Sequence, residues 1–254
     1  MSGHSHWATN KRKKAAGDIK RGQLFTKLAK EITLAARESG DIEGNFKLRI
    51  AVENARANSM PKDGIDRAIK RGTGEGKDGM QFEEIMYEGY GPKGVALMIE
   101  CVTENKNRTV AEIRHAFTNA GGSMGESGSV AWQFSRKAYF LLTGENLDFD
   151  AIFELGVNSG AEDIEQNDDG SIEITAAPEA YKNVSDALFK IGAHVEEAEL
   201  KMIPNQEVTL SDEDTIQVLH TIEGIEELDD VQTVYHNLAV SDAVMQKMDE
   251  EEDA

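Results

Sequence analysis

A single cysteine among 254 residues, Cys101, leaves no internal disulfide and no zinc site built from several thiolates. It lies in the apolar run 95–102, where a small core residue is expected, and no close base is present to activate a thiolate. Aromatic residues make up only 6%, so the core is expected to be mostly aliphatic. No apolar run approaches the roughly 20 residues that a membrane-spanning helix needs. Residues 1–7 are polar and lack the apolar stretch of a secretory leader, so a cytoplasmic protein with no membrane partner is expected.

Positive charge is also scarce, with 27 Lys+Arg against 47 Asp+Glu and a formal net charge of −20. Such a balance argues against a polyanionic partner, because like charges repel. The average conceals a segregation. Residues 1–80 hold 17 bases against 10 acids, a balance of +7, while residues 81–254 hold 10 against 37, a balance of −27. The first thirty residues carry Lys11, Arg12, Lys13, Lys14, Lys20, Arg21, Lys27 and Lys30 against the single acid Asp18. This is the pattern of a basic arm on an acidic body.

Periodicity divides the chain further. Phe25, Leu28, Ile32 and Ala35 recur at three- and four-residue steps, which predicts a helix over 18–37. At about 100° per residue, Lys20, Lys27, Lys30 and Arg37 should share an outward arc away from that stripe. Leu48, Ala51, Val52 and Ala55 predict a second helix with Arg49 and Arg56 on a neighbouring face. A third should open at Pro61, with Ile65, Ala68 and Ile69 inward and Arg67, Lys70 and Arg71 outward. The glycine-rich stretch 72–79 then reads as a linker.

Beyond it strands alternate with helices. Strands are expected at 83–90, 95–102, 130–134, 138–142, 172–175, 195–203 and 231–235. Helices are expected from a capping box at Thr109 and Glu112, over 149–155 and 178–191, and from Ser211 through Glu227. The acidic tail from Asp249 to Asp253 reads as disordered. The fold class is α+β: an N-terminal helical domain followed by two ferredoxin-like α/β domains.

Catalytic signatures fail on context. Gly121, Ser123 and Gly125 spell G-x-S-x-G, but that motif needs a strand before it and a helix after it, and the order here is reversed. Gly72, Gly74, Gly76 and Lys77 lack the P-loop spacing, and Asp78 stands where a hydroxyl is needed. The run Asn167, Asp168, Asp169, Gly170 is a turn with no calcium-ligand ladder after it. The six histidines show no His-Glu-x-x-His or paired-carboxylate spacing. No catalytic residue, metal, cofactor or small-molecule substrate is expected.

The N-terminal string is the chemically informative one. Lys11, Arg12, Lys13 and Lys14 suit phosphate neutralisation. Trp7 and His4 ahead of them offer flat faces on which bases stack. Nucleic acid is the expected partner.

Gly3-His4-Ser5-His6-Trp7 resembles the N-terminus of the YebC/PmpR family, which includes the mitochondrial translational activator of cytochrome c oxidase. The family pattern has lysine where this chain has His6, which removes one fixed charge. The resemblance continues in Lys20-Arg21-Gly22, in Met60-Pro61-Lys62-Asp63, and in Tyr87-Glu88-Gly89-Tyr90-Gly91-Pro92. It extends through Asn107-Arg108-Thr109-Val110-Ala111-Glu112, Arg114-His115-Ala116-Phe117, Gly128-Ser129-Val130-Ala131 and Val234-Tyr235-His236-Asn237. The resemblance implies three domains with the third inserted in the second: 1–79, then 80–134 with 207–245, then 135–206, and an acidic tail at 246–254. It implies a non-enzymatic regulator of gene expression, whose partner is promoter DNA in some descriptions and ribosomal RNA or the ribosome in others. Some members are translation factors that relieve stalling. The residues themselves show no clear recognition-helix spacing for the major groove, and a Trp/His/basic arm suits irregular RNA. A protein-interaction module using the acidic domains is the alternative.

Overall fold

The computed structural model describes residues 18–75, 82–144, 147–167 and 169–252. Two compact units divide the chain: residues up to Lys27 with Met80–Ser135 and Ile203–Ala254, and Leu28–Gly79 with Arg136–Met202.

Three helices open the described chain: α1 (Asp18–Ala35), α2 (Phe46–Ala57) and α3 (Lys62–Gly72). The periodic residues are the buried ones, including Leu28, Ile32, Leu48, Val52, Ile65 and Ala68. Asn45 ties α1 to α2. Its side-chain oxygen accepts from Leu48 N at 3.1 Å as an N-cap, and its amide donates to Ala35 O and Ser39 O, each at 2.8 Å. Gly72 belongs to α3, where a Cβ would stand 2.3 Å from Thr33 O and 2.6 Å from the Ala36 Cβ. It is required there by helix contact and not by linker flexibility.

The first unit carries a four-stranded sheet in the order β3-β1-β2-β8. β1 (Glu83–Tyr90) and β2 (Ala96–Thr103) form a hairpin with Tyr87 opposite Ile99. β3 is Ser123–Met124, and β8 (Val231–His236) pairs antiparallel with β2. Helices α4 (Lys106–Asn119) and α7 (Asp212–Glu226) pack Ile113, Phe117, Val218 and Ile222 against Leu97, Ile99, Cys101 and Val234. Gly89 lies under Phe117, where a Cβ would come within 2.5 Å of the ring.

The second unit carries β4 (Phe134–Leu142), β5 (Ala161–Gln166), β6 (Ile172–Ala176) and β7 (Val195–Pro204) in the order β5-β6-β4-β7. With α5 (Phe149–Ser159) after β4 and α6 (Tyr181–Lys190) after β6, this is the ferredoxin-like order. In the first unit the layers are the same, but the β1–β2 hairpin precedes the first helix. Ala138, Phe140, Leu142, Ile152, Val184 and Leu188 form the second core, and α2 adds Phe46 and Ile50 to it. Tyr181 stacks on Phe140 at 5.2 Å and donates to Ala198 O at 3.1 Å, and burial raises its hydroxyl pKa.

Several local expectations are corrected. Helix α4 begins one turn before Thr109, capped by Asn105, whose oxygen accepts from Arg108 N at 3.2 Å. The strand expected at 130–134 is a single 3-10 turn, Ala131–Gln133, and β4 starts at Phe134. β3 and β5 were not foreseen. The tail expected without structure is helical through Glu252 in α8 (Asp242–Glu252), because Val244 and Met248, four residues apart, bury into the first core. No helix among the described residues is long and apolar enough to cross a membrane.

Candidate nucleic-acid interface

His4, Trp7, Lys11, Arg12, Lys13 and Lys14 lie outside the described residues. Lys20 is on α1, with only its backbone described, and Arg21 beside it is exposed. The even outward arc expected along this helix is broken at its next two bases. Lys27 donates to Glu226 O at 2.6 Å, and Gln23 reaches Glu227 O at 3.4 Å. Both carbonyls end helix α7, whose partial negative charge a lysine neutralises. Lys30 is only 6% exposed.

On α3, Arg67 and Lys70 face solvent and Arg71 is half-buried. Arg67 Nε donates to Asp63 O at 3.1 Å. Beside them an open groove of about 400 Å³ is lined by Gly40, Asp66, Ile69, Lys70, Thr73 and Glu75. Two carboxylates against one ammonium make it a poor phosphate cradle. On α2 the expected basic face loses Arg49. Its guanidinium lies 4.2 Å from the Phe189 ring centre, and Nε reaches Ile42 O at 3.4 Å. Among the described residues no group of three or more His, Cys, Asp or Glu could hold a metal ion.

Two buried carboxylates organise the first unit. Glu88 accepts from the backbone N–H groups of Gly128 at 2.7 Å, Val130 at 2.9 Å and Ala131 at 2.8 Å. Burial alone would raise its pKa, but the three N–H donors outweigh it and hold the carboxyl below its ordinary range. Asp230 Oδ2 accepts from Thr103 and Thr109 hydroxyls, each at 2.9 Å, and from Arg108 Nη2 at 2.8 Å. Asn237 makes a third junction: its oxygen accepts from Ala96 N at 2.9 Å and its amide donates to Gln133 Oε1 at 3.1 Å.

The Glu88 cluster yields a pH-dependent expectation. Glu88→Gln places amide N–H groups against backbone N–H donors and costs about 1.5–3 kcal/mol near neutral pH. The folded pKa lies below the unfolded value near 4.5, so the stabilisation is fully present above that value. It is lost as pH falls through the folded pKa. Urea unfolding of both proteins across acidic pH should therefore show the gap closing on acidification. A gap constant with pH would mean that the carboxylate charge does not hold the loop.

The loop that Glu88 holds carries a residue that sequence reasoning passed over. Trp132 is 72% exposed, with its ring N–H donating to Ser129 O at 3.1 Å. Its sequence signal was an indole three residues past the Gly/Ser-rich segment 125–129. On α4, Arg114 and His115 also face solvent.

Each of these junctions joins segments far apart in sequence. A model described as the TACO1/YebC second and third domain matches residues 82–238, and one described as the TACO1/YebC protein N-terminal domain matches residues 5–75. The chain belongs to the TACO1/YebC family. A "probable transcriptional regulatory protein" of Chlorobaculum tepidum is 50% identical over 252 residues, covering 99% of this chain and all of its own. One from Tolumonas auensis is 49% identical over 96% of this chain and 98% of its own. A crystal structure of a conserved hypothetical protein from Aquifex aeolicus is 39% identical and covers 89% of this chain and 93% of its own, with a TM-score of 0.76. In this TACO1/YebC chain, the blocks Tyr87–Pro92, Gly128–Ala131 and Val234–Asn237 are thus largely accounted for by mutual support within one unit.

Proposed function

We propose that this chain is a non-enzymatic, nucleic-acid-binding regulator of gene expression, working in the cytoplasm with RNA of the translation machinery as its target. The observation that carries the reading is the charge segregation: +7 over residues 1–80 and −27 over residues 81–254. A uniformly acidic protein would be repelled by phosphates, whereas a basic arm on an acidic body neutralises phosphates at its basic end. In this reading Lys11, Arg12, Lys13, Lys14, Lys20 and Arg21 neutralise phosphates, and Trp7 and His4 stack on unpaired bases. Arg67, Lys70 and Arg71 on α3 supply further cationic contacts. Lys27 and Lys30 serve the fold.

Promoter DNA is the second reading, favoured by the names of the relatives, which are called probable transcriptional regulatory proteins. Against it stands the acidic body, which discourages wrapping along a duplex. Crosslinking in cells followed by sequencing of the bound nucleic acid separates the two. Enrichment of ribosomal RNA is the expected result. Enrichment of promoter DNA would replace the RNA reading, and recovery of neither would leave the acidic domains as a protein-interaction module.

A further inference from the structure

The segment between β3 and β4 is built to hold one side chain still. Gly125 N donates to Glu88 O at 2.8 Å, and a Cβ on Gly125 would stand 2.2 Å from Ser129 Oγ. Gly128 adopts a φ of +88°, which favours glycine. The carboxylate of Glu88 then takes the next N–H groups in the manner described, and Tyr90 OH donates to Ser129 O at 3.2 Å. At the carbonyl end of this turn, Asn205 Nδ2 donates to Trp132 O at 3.1 Å and Asn205 N donates to Gln133 O at 2.7 Å. The backbone of Trp132 is therefore pinned before and after, and its ring is oriented by the bond from its own N–H to Ser129 O.

That last bond leaves the indole with no free polar atom. What it presents is a flat π surface, and its partner must meet it by stacking. The surroundings decide what kind of partner. The chain on either side of it is mostly polar: Glu126, Ser127, Gly128, Ser129 and Gln133 flank it in sequence, and Asn205 bonds its backbone. Trp132 and Met86 are the large exposed apolar residues among the described part of this unit. A tryptophan hot spot between proteins sits in a well-packed, desolvated region ringed by contacts that exclude water, whereas this indole stands 72% exposed. An isolated plane with a polar surround matches a nucleobase, which is itself a flat face with a polar edge. A pre-fixed ring also loses little conformational freedom on binding.

We propose that Trp132 is a stacking platform for an unpaired base of single-stranded or looped RNA. The assignment rests on the nucleic-acid reading above and adds a second contact, in the acidic part of the chain. Stacking needs no local cation, so the platform works where the body is negative while the arm neutralises phosphates. It also gives a preference for unpaired over duplex strands, since duplex bases are already stacked on one another.

The test uses the full chain with a labelled 15-nucleotide single-stranded RNA, an abasic strand of equal length and a 20-base-pair DNA duplex. Trp132→Ala should weaken the RNA complex about 5- to 150-fold. Binding of the abasic strand and duplex should change by less than about twofold, and Trp132→Phe should recover part of the loss. The chain has two tryptophans, so Trp7→Phe makes Trp132 the sole indole emitter. Its fluorescence should be quenched by the RNA and not by the abasic strand, a readout that does not depend on how Trp132→Ala folds. Equal losses on all three probes, unchanged RNA affinity, or absent quenching would each overturn the platform. Unchanged RNA affinity with loss of a protein that co-elutes with the wild type would assign the indole to a protein partner and also overturn it. Changing Lys11, Arg12, Lys13 and Lys14 to alanine runs in parallel. If the wild type binds and the arm variant does not, a negative result at Trp132 sinks the platform alone. If the wild type binds none of the probes, the nucleic-acid reading falls and the platform with it.

Discussion

Asp230→Ala lowers the stability of the protein by about 1–3 kcal/mol, with the loss appearing in chemical and thermal unfolding alike. Asp230 is 3% exposed, and the two threonines that bond it, Thr103 and Thr109, are 0% and 1% exposed. Each hydroxyl has one proton to give. Thr109 has a second acceptor in Asn105 O at 3.0 Å. Thr103 Oγ1 accepts from Asn105 N at 2.9 Å and lies 2.8 Å from Thr109 Oγ1, so removing the carboxylate trades the charge-assisted bonds of both hydroxyls for weaker neutral ones, Thr103 to Thr109 and Thr109 to Asn105 O. Arg108 contributes less than its 2.8 Å contact suggests, because its side chain is 53% exposed and water screens it. The bond from Val102 N to Asp230 O, at 2.8 Å, survives the change because it is backbone. Asp230→Asn keeps an oxygen acceptor and loses the charge, so its cost falls between wild type and alanine. A loss below about 1 kcal/mol for alanine would mean that water enters and satisfies the threonines.

The same residues show where local pattern stops. Thr109 and Glu112 match a capping box, yet the helix is capped by Asn105, and the Thr109 hydroxyl bonds a carboxylate 121 residues away. No window centred on Thr109 contains that partner. Strand β5 failed for a different reason: Glu162, Asp163 and Glu165 are exposed on an edge strand, and only Ile164 is buried. An edge strand needs little apolar pattern, and its acids read as a loop. The helical third was legible because its stripe of Leu28, Ile32, Leu48, Val52, Ile65 and Ala68 obeys one period. Its outward charges were less so, since the contact of Lys27 with the end of α7 is tertiary. Trp132 was legible only after the Glu88 junction had been seen. The blocks that carry it are 40 residues apart, and the first gives no sign that it holds the second.

Replacing Lys11, Arg12, Lys13 and Lys14 by alanine should weaken nucleic-acid binding on the order of 100- to 1,000-fold near 0.1 M salt, if all four touch phosphates. The reasoning is counterion release. Each phosphate neutralised by a side chain returns its condensed cation to solution, which contributes about 0.7 to the log–log salt slope on single strands and about 0.9 on duplex DNA. Four contacts thus remove about three units of slope. The loss should shrink as salt is raised, because the released ions gain less entropy. Melting temperature should stay where it is, since adjacent like charges do not support a fold by pairing with one another. The motivating observation is eight bases against one acid in the first thirty residues of a chain whose net charge is −20. Titrations on single-stranded RNA and duplex DNA at several salt concentrations give both slopes. A duplex slope that falls while the RNA slope holds would move the arm to DNA. Slopes unchanged on both probes would mean that these bases meet no phosphate, and the arm would lose its assigned part in binding.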